Sequence, residues 1–229
     1  MRNLLRGITF VLLVLMTTNI MAQKAKKFTG IITYKLTVDG EMSEADKAQV
    51  EGTVTMTYGD GVYKMVMETM MMNQTQVIWA DSVITSTEVM GQTMAFRMNK
   101  EQAEEMKEMQ KGGDDGEEEE KPKVTILDET KMIAGYKCKK AEIEIGEDIM
   151  EVYFYDDLEV DDFMQEEQYP EINGMQLEYT MAIPGMEDSK LHFTASEVKK
   201  KRKIKSKEFT IPEGTKVMSF EELKAMMGG

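Results

Sequence analysis

The sequence predicts a mainly β fold: a single, strongly curved antiparallel sheet of half-barrel form with a few short helices. Three observations carry that expectation. Apolar and polar residues alternate over long stretches, glycine-centred turns separate those stretches, and helical periodicity is confined to short segments. In the first stretch Phe28, Ile32, Tyr34, Leu36 and Val38 alternate with Thr29, Thr33, Lys35 and Thr37. Val50, Val54, Met56 and Tyr58 alternate with Glu51, Thr53, Thr55 and Thr57, and Met175, Leu177, Tyr179, Met181 and Ile183 with Gln176, Glu178 and Thr180. Successive side chains of a strand point to opposite faces, so a period of two marks a sheet with one buried and one wet face.

The remaining strands are expected near 62–68, 74–80, 82–90, 92–98, 124–130, 137–145, 149–155 and 189–198. Turn chemistry at Gly59-Asp60-Gly61, Gly91-Gln92, Gly146-Glu147-Asp148 and Pro184-Gly185 separates several of them. Helix is expected in three places. Asn99 caps 100–110, with Gln102 at the third position and Ala103, Met106 and Met109 on one stripe. Ser219 and Glu222 form a capping box before Leu223 and Met226, and a short turn of helix starts at Ser43.

The first 22 residues have the order of a cleaved secretory signal. Arg2 and Arg6 precede an apolar core from Ile8 to Met16, and small and polar residues lead to Ala22 and Gln23, between which the cut is expected. The apolar run is about half of the ~20 residues a spanning helix needs. No cysteine follows it to carry a lipid, so a soluble periplasmic or secreted product is expected, formed by residues 23–229 as a single β-rich domain.

Composition narrows the function classes. The chain carries a net charge of −14, and removal of residues 1–22 takes two arginines and no acid, making it −16. Such a protein repels nucleic acid. Cys138 is the only cysteine, so no internal disulfide can form, and a buried thiol is expected. Residues 111–122, with Gly112-Gly113-Asp114-Asp115-Gly116 and Glu117–Glu120, cannot bury anything and read as a mobile acidic loop. The loop divides the strands into two sets, neither able to close a core alone.

Catalytic apparatus is absent from the pattern. His192 is the only histidine, and alternation places it on the polar face of its strand. A nucleophile–base–orienter triad or a His/Cys zinc site cannot be assembled from that inventory. A carboxylate pair could still hydrolyse glycosides, but a solvated acidic surface supplies such carboxylates anyway, so no enzyme, cofactor or metal is expected. Methionine is the oddity, with 24 in the chain, concentrated at Met65, Met67 and Met70–Met72, at Met90, Met94 and Met98, and at Met106 and Met109. Thioethers suit Cu(I), but Met65 and Met67 share parity with Tyr63, and Met94 and Met98 with Phe96, as core-facing residues do. Methionine is also an adaptable apolar filler, suited to a ligand of variable shape.

Two charged features complete the inventory. Lys199 to Lys207 is the strong positive run, which reads as a protruding edge strand guarded by lysine; contact with lipid headgroups, lipopolysaccharide or the chain's own Glu117–Glu120 loop is the alternative. Asp156-Asp157-Leu158-Glu159-Val160-Asp161-Asp162 lacks the spacing of a calcium loop. Asp81-Ser82-Val83 resembles the short Asp-Ser/Thr-apolar acceptor of O-glycosylation.

Phe28-Thr29-Gly30-Ile31-Ile32-Thr33-Tyr34, Ile133-Ala134-Gly135-Tyr136-Lys137-Cys138, Tyr169-Pro170-Glu171-Ile172-Asn173-Gly174-Met175 and Phe209-Thr210-Ile211-Pro212-Glu213-Gly214 together resemble the exported DUF4412 and GLPGLI-type proteins of Bacteroidota. Because 169–175 departs from the Gly-Leu-Pro-Gly-Leu-Ile string, the DUF4412-like assignment is preferred. That resemblance implies a fold like the LolA/LolB lipoprotein carriers, an incomplete barrel closed by helices over an apolar cavity, and it implies no catalytic residues.

The leading functional expectation is thus a non-enzymatic carrier or sensor of a hydrophobic ligand, a lipid or lipoprotein acyl chain. Tyr34, Leu36, Met56, Tyr58, Met65 and Met67 are expected to line its cavity. An envelope interaction module with a filled core is the rival, and exported Met-based copper binding comes third. Oligomeric state is left open.

Overall fold

A computed structural model describes residues 27–89, 91–111, 122–146, 148–158, 169, 171–183 and 186–227. The signal segment, the acidic loop at 112–121, Glu159–Asp162 and the Pro184-Gly185 turn lie outside them.

Among the described residues twelve strands form one sheet. In chain order they are β1 (Gly30–Gly40), β2 (Gly52–Tyr58), β3 (Val62–Thr69), β4 (Met72–Trp79), β5 (Ser82–Val89), β6 (Gln92–Asn99), β7 (Lys123–Ile133), β8 (Tyr136–Ile145), β9 (Asp148–Tyr155), β10 (Met175–Ile183), β11 (Met186–Lys200) and β12 (Val217–Met218). Among the described residues three α-helices accompany them, α1 (Glu44–Val50), α2 (Lys100–Lys111) and α3 (Phe220–Met227), with one 3-10 turn at Ser206–Glu208. The spatial order β12-β6-β5-β4-β3-β2-β1-β11-β10-β9-β8-β7 describes two meanders, β1–β6 and β7–β11. They meet where β1 pairs antiparallel with β11, from Gly30 opposite Lys200 to Gly40 opposite Ser189. The mainly β, unclosed sheet matches the expectation, with one amendment. The two-residue β12 pairs parallel with β6, so the sheet is mixed.

The caps follow the sequence. The Ser43 hydroxyl accepts from the Asp46 backbone N–H at the start of α1. Asn99 and Gln102 exchange side-chain-to-backbone bonds of 2.8 and 2.9 Å at α2, as Ser219 and Glu222 do at α3. These bonds satisfy amides that the first helical turn leaves without partners. Ala134 and Gly135 both take positive φ at the β7–β8 turn, the pairing that a two-residue hairpin with native twist demands.

The sheet is strongly curved. On a flat sheet β7 and β10, three positions apart, would stand about 14 Å from each other. Instead, Lys131 on β7 forms an ion pair of 2.7 Å with Glu178 on β10. Curvature lets both meanders feed one core, in which Ile32, Leu36, Val54, Cys138 and Leu177 are almost fully buried. A second cluster (Ala141, Ile143, Val152, Phe154) is covered by Ile172, and a third joins Met106 of α2 to Phe220 and Leu223 of α3.

Two side-chain expectations change. Met94 is 49% exposed rather than core-facing, whereas Met98 packs on the helix cluster. The helices cover only the part of β6 where Met98 lies. The basic run is not an edge strand: β11 lies between β1 and β10, and the strand ends at Lys200.

Leu36→Ala should cost ~2–5 kcal/mol through the cavity it leaves in a buried site. Met70→Ala, at a residue 76% exposed, should cost less than ~0.5 kcal/mol. Urea unfolding of the two variants checks the contrast.

Candidate functional site

The curved sheet forms a partly open cavity of about 590 Å³ between its two meanders. One wall is built from Tyr34, Val54, Met56, Tyr58, Tyr63, Met65, Met67 and Gln76 of β1–β4. The other comes from Met150, Val152, Gln176, Tyr179, Met181, Leu191 and Phe193 of β9–β11, with Tyr169 and Ile172 contributed by the β9–β10 connection. Alternation explains the first wall. Met56 stands opposite Met65, Tyr58 opposite Tyr63 and Val54 opposite Met67, so three successive cross-strand pairs present apolar side chains on one face.

Of the residues expected from the sequence, Tyr34, Met56, Tyr58, Met65 and Met67 line the cavity. Leu36 does not. It faces Phe193 across the β1–β11 pairing and is 1% exposed inside the core. Sequence reading missed the second wall, because periodicity gives the face of a strand and not the strand that comes to lie across from it. Tyr179 and Met181 carried the correct signal in their alternation, but nothing in that signal names their neighbour.

The polar groups of the cavity are few and neutral. The Tyr34 hydroxyl donates to the Gln176 carbonyl at 2.8 Å. Tyr34 and Tyr179 meet edge to face at 6.1 Å between centroids, and Tyr179 stacks on Phe193 at 4.7 Å. Burial holds the Tyr34 and Tyr58 phenols well above their ordinary range, and it pushes Tyr179 up to about 12. Removing a phenolate from water disfavours the charged form, so all three stay protonated donors at neutral pH. None of the described lining residues carries a charge.

The two ends of the cavity differ: aromatic rings pack at one, and the other carries exposed apolar groups. At the β2–β3 turn Phe28 meets Tyr58 edge to face, and Phe209 lies so close to Gly59 that a Cβ there would come within 2.5 Å of its ring. At the opposite strand ends Met70 and Met71 of the β3–β4 turn, Ile149 of the β8–β9 turn and Met181 are 76, 40, 54 and 46% exposed.

His192 lies outside the cavity, on the face of β11 opposite Leu191 and Phe193. Its Nδ1 is 3.3 Å from Asp39 and its Nε2 3.5 Å from Glu178, which also holds Lys131. Cys138 is fully buried, and burial pushes its thiol up to about 11. Among the described residues no group of three or more His, Cys, Asp or Glu side chains converges as a metal site, and no helix is long and apolar enough to cross a membrane.

The family model described as "N-glycanase peptide, N-terminal domain" matches residues 32–223. The chain belongs to this family. That match overturns the expected kinship with DUF4412 proteins, and with it the LolA/LolB affiliation. The short segments that suggested it are a strand start, a hairpin and turns, which unrelated β proteins also need. No curated protein matches the chain. Among solved structures, PNGF-II in its P21 and C2 crystal forms is similar, at 15% and 16% identity and a TM-score of 0.46 each, over 88% of this chain. This chain spans a third of the length of those structures. A β-barrel-like DUF1849 protein from Brucella abortus aligns at 9% identity and a TM-score of 0.32, over 77% of this chain and 99% of that one.

The raised phenol values have a measurable consequence. An unfolded tyrosine releases its proton near pH 10 and folded Tyr179 near 12, so above pH 10 the unfolded state binds fewer protons. The stability contributed by the protonated phenol is complete below pH 10 and is lost as pH rises through 12. Tyr179→Phe should flatten that alkaline decline in urea midpoints taken between pH 9 and 12; an unchanged slope would exclude Tyr179 as its source.

Proposed function

We propose that this domain binds an apolar or amphiphilic ligand, of the class of a lipid or lipoprotein acyl chain, in the cavity between its meanders, and that it does so without catalysis. The observation that carries the reading is the wall itself. A volume of about 590 Å³ falls within the ~300–1,000 Å³ of small-molecule sites. Methionines and aromatics dominate it, and the tyrosines offer neutral donors. Methionine side chains re-pack at low cost, which suits a flexible chain more than a rigid polar substrate. A hydrolytic site would need an acid–base pair near the substrate, and the described lining offers none. Exposed Met70, Met71, Ile149 and Met181 at the β3–β4 end would receive the ligand. We place this activity outside the inner membrane, after cleavage between Ala22 and Gln23.

The family supports a second reading. Its model is that of a domain N-terminal in an N-glycanase, and here the same apolar end would dock on another protein, with the cavity left as packing slack.

Protein purified from the exported fraction and subjected to native mass spectrometry should carry an apolar mass that organic solvent extracts. Met65→Ala and Met67→Ala should each lower stability by less than ~1 kcal/mol, well under a core truncation, and weaken uptake of a fluorescent fatty acid about tenfold or more. Absence of any bound mass, combined with a core-sized penalty at both methionines, would favour the docking module instead.

A further inference from the structure

The two ends of the β1–β11 pair differ in charge. At the end where β1 runs into α1 stand exposed Asp39, Glu41, Glu44 and Asp46. At the opposite end, β11 finishes on Lys199 and Lys200 and is followed by Lys201, Arg202, Lys203, Lys205 and Lys207, every one exposed. Five of these seven cations come after the strand and guard no sheet edge. Their backbone is held in place. The Lys201 N–H donates to the Thr29 carbonyl at 2.9 Å, and the Thr29 hydroxyl donates to the Lys201 carbonyl at 2.7 Å.

The β7–β8 turn joins this surface. Lys200 Nζ lies 5.6 Å from the centre of the Tyr136 ring, which brings the run beside Lys137. Opposite Lys137 in the hairpin stands Met132, 64% exposed. Within 199–207 one described ion pair occurs, Lys199 with Glu197, and Glu208 follows the run. Asp156 and Asp157 follow β9 beside the same turn, where Tyr155 meets the Tyr136 ring at 5.0 Å, and Lys139 pairs with Asp156, so the basic end has both an acidic and an apolar margin.

We propose that this end, formed by Lys199–Lys207 and the β7–β8 turn, docks on anionic lipid headgroups. The net charge of −14 does not prevent it. β1 has 11 residues between the two ends, so at ~3.3 Å per residue the acidic end stands about 35 Å away. The screening length is ~8 Å at physiological salt, and the membrane therefore meets the local field of the lysines. The residue types favour lipid over nucleic acid. One arginine among seven cations gives little bidentate phosphate recognition, and stacking platforms between the cations, which single-stranded nucleic acid needs, are absent from 199–207. Flexible lysines around an exposed methionine suit a diffuse surface into which an apolar group can dip. The surface is distinct from the cavity and does not depend on the cavity being filled.

Sedimentation of the full chain with vesicles tests the proposal, using pure phosphatidylcholine against a mixture with about one third phosphatidylglycerol. Binding should be confined to the anionic vesicles and should fall steeply between low and physiological salt. Each lysine at such a surface contributes about fivefold, so combined Lys201→Gln, Arg202→Gln, Lys203→Gln and Lys205→Gln should weaken binding by roughly 100-fold or more. The melting temperature and fatty-acid uptake of that variant should be unchanged. Met132→Ala should weaken binding by a factor that salt does not alter. Equal binding to neutral vesicles, an unaffected quadruple variant, or retention on a heparin column without vesicle binding would each overturn the proposal.

Discussion

The pairing of β1 with β11 is the constraint on which the rest of the structure depends. The first long strand of one meander and the last of the other run antiparallel from Gly30–Lys200 to Gly40–Ser189. Without that seam there would be two open sheets, each with an apolar face toward water. Tyr34 sits at its centre. It stands opposite Ala195 on one side and Val54 on the other, and the small Ala195 leaves room for the ring to reach over β11. Its hydroxyl ends on the Gln176 carbonyl and its ring on Tyr179. A buried phenol needs a hydrogen-bond partner, and here the partner belongs to the other meander, so satisfying one polar atom also fixes the angle between the halves. The register shift between Thr33 and Tyr34 lies at the same point and adds local bend.

The seam also determines what the methionines do. Met56, Met65 and Met67 would complete an ordinary core if the second meander lay flat against them. Tyr179, Met181 and Leu191 stand across from them instead, all but Met181 packed on the same core, and the space between is the cavity. Where a second layer does close down, methionine behaves as filler: Met98 and Met106 pack among Phe96, Phe220 and Leu223. Where nothing covers the strand, as at Met94, it is exposed. One residue type therefore serves three environments, and composition alone could not separate them.

Much of the fold was legible because strand periodicity and capping are local. Alternation through Tyr34–Val38 and Val54–Tyr58 identified faces correctly, and Ser43, Asn99 and Ser219 marked the starts of α1, α2 and α3. The neighbours of a strand are not local. Nothing in Leu191-His192-Phe193 says that β1 lies beside it, so the second wall of the cavity and the burial of Leu36 were hidden. The lysine run was read as an edge for the same reason. Family membership was misread because Ile133–Cys138 and Tyr169–Met175 are hairpin and turn solutions that any curved sheet can adopt. His192 was read correctly as outside the apolar face, since one step of alternation suffices for that.

The central claim is that two meanders share one core through a single seam and that the cavity exists only while the seam holds. Native-state hydrogen exchange resolved by residue tests it most directly. Amides of β1, β2, β10 and β11 should exchange only through global unfolding, with one common free energy and one common denaturant dependence. If β8–β10 instead opened at a clearly lower free energy while β1–β4 stayed protected, the halves would be independent units and the account of the cavity would be contradicted.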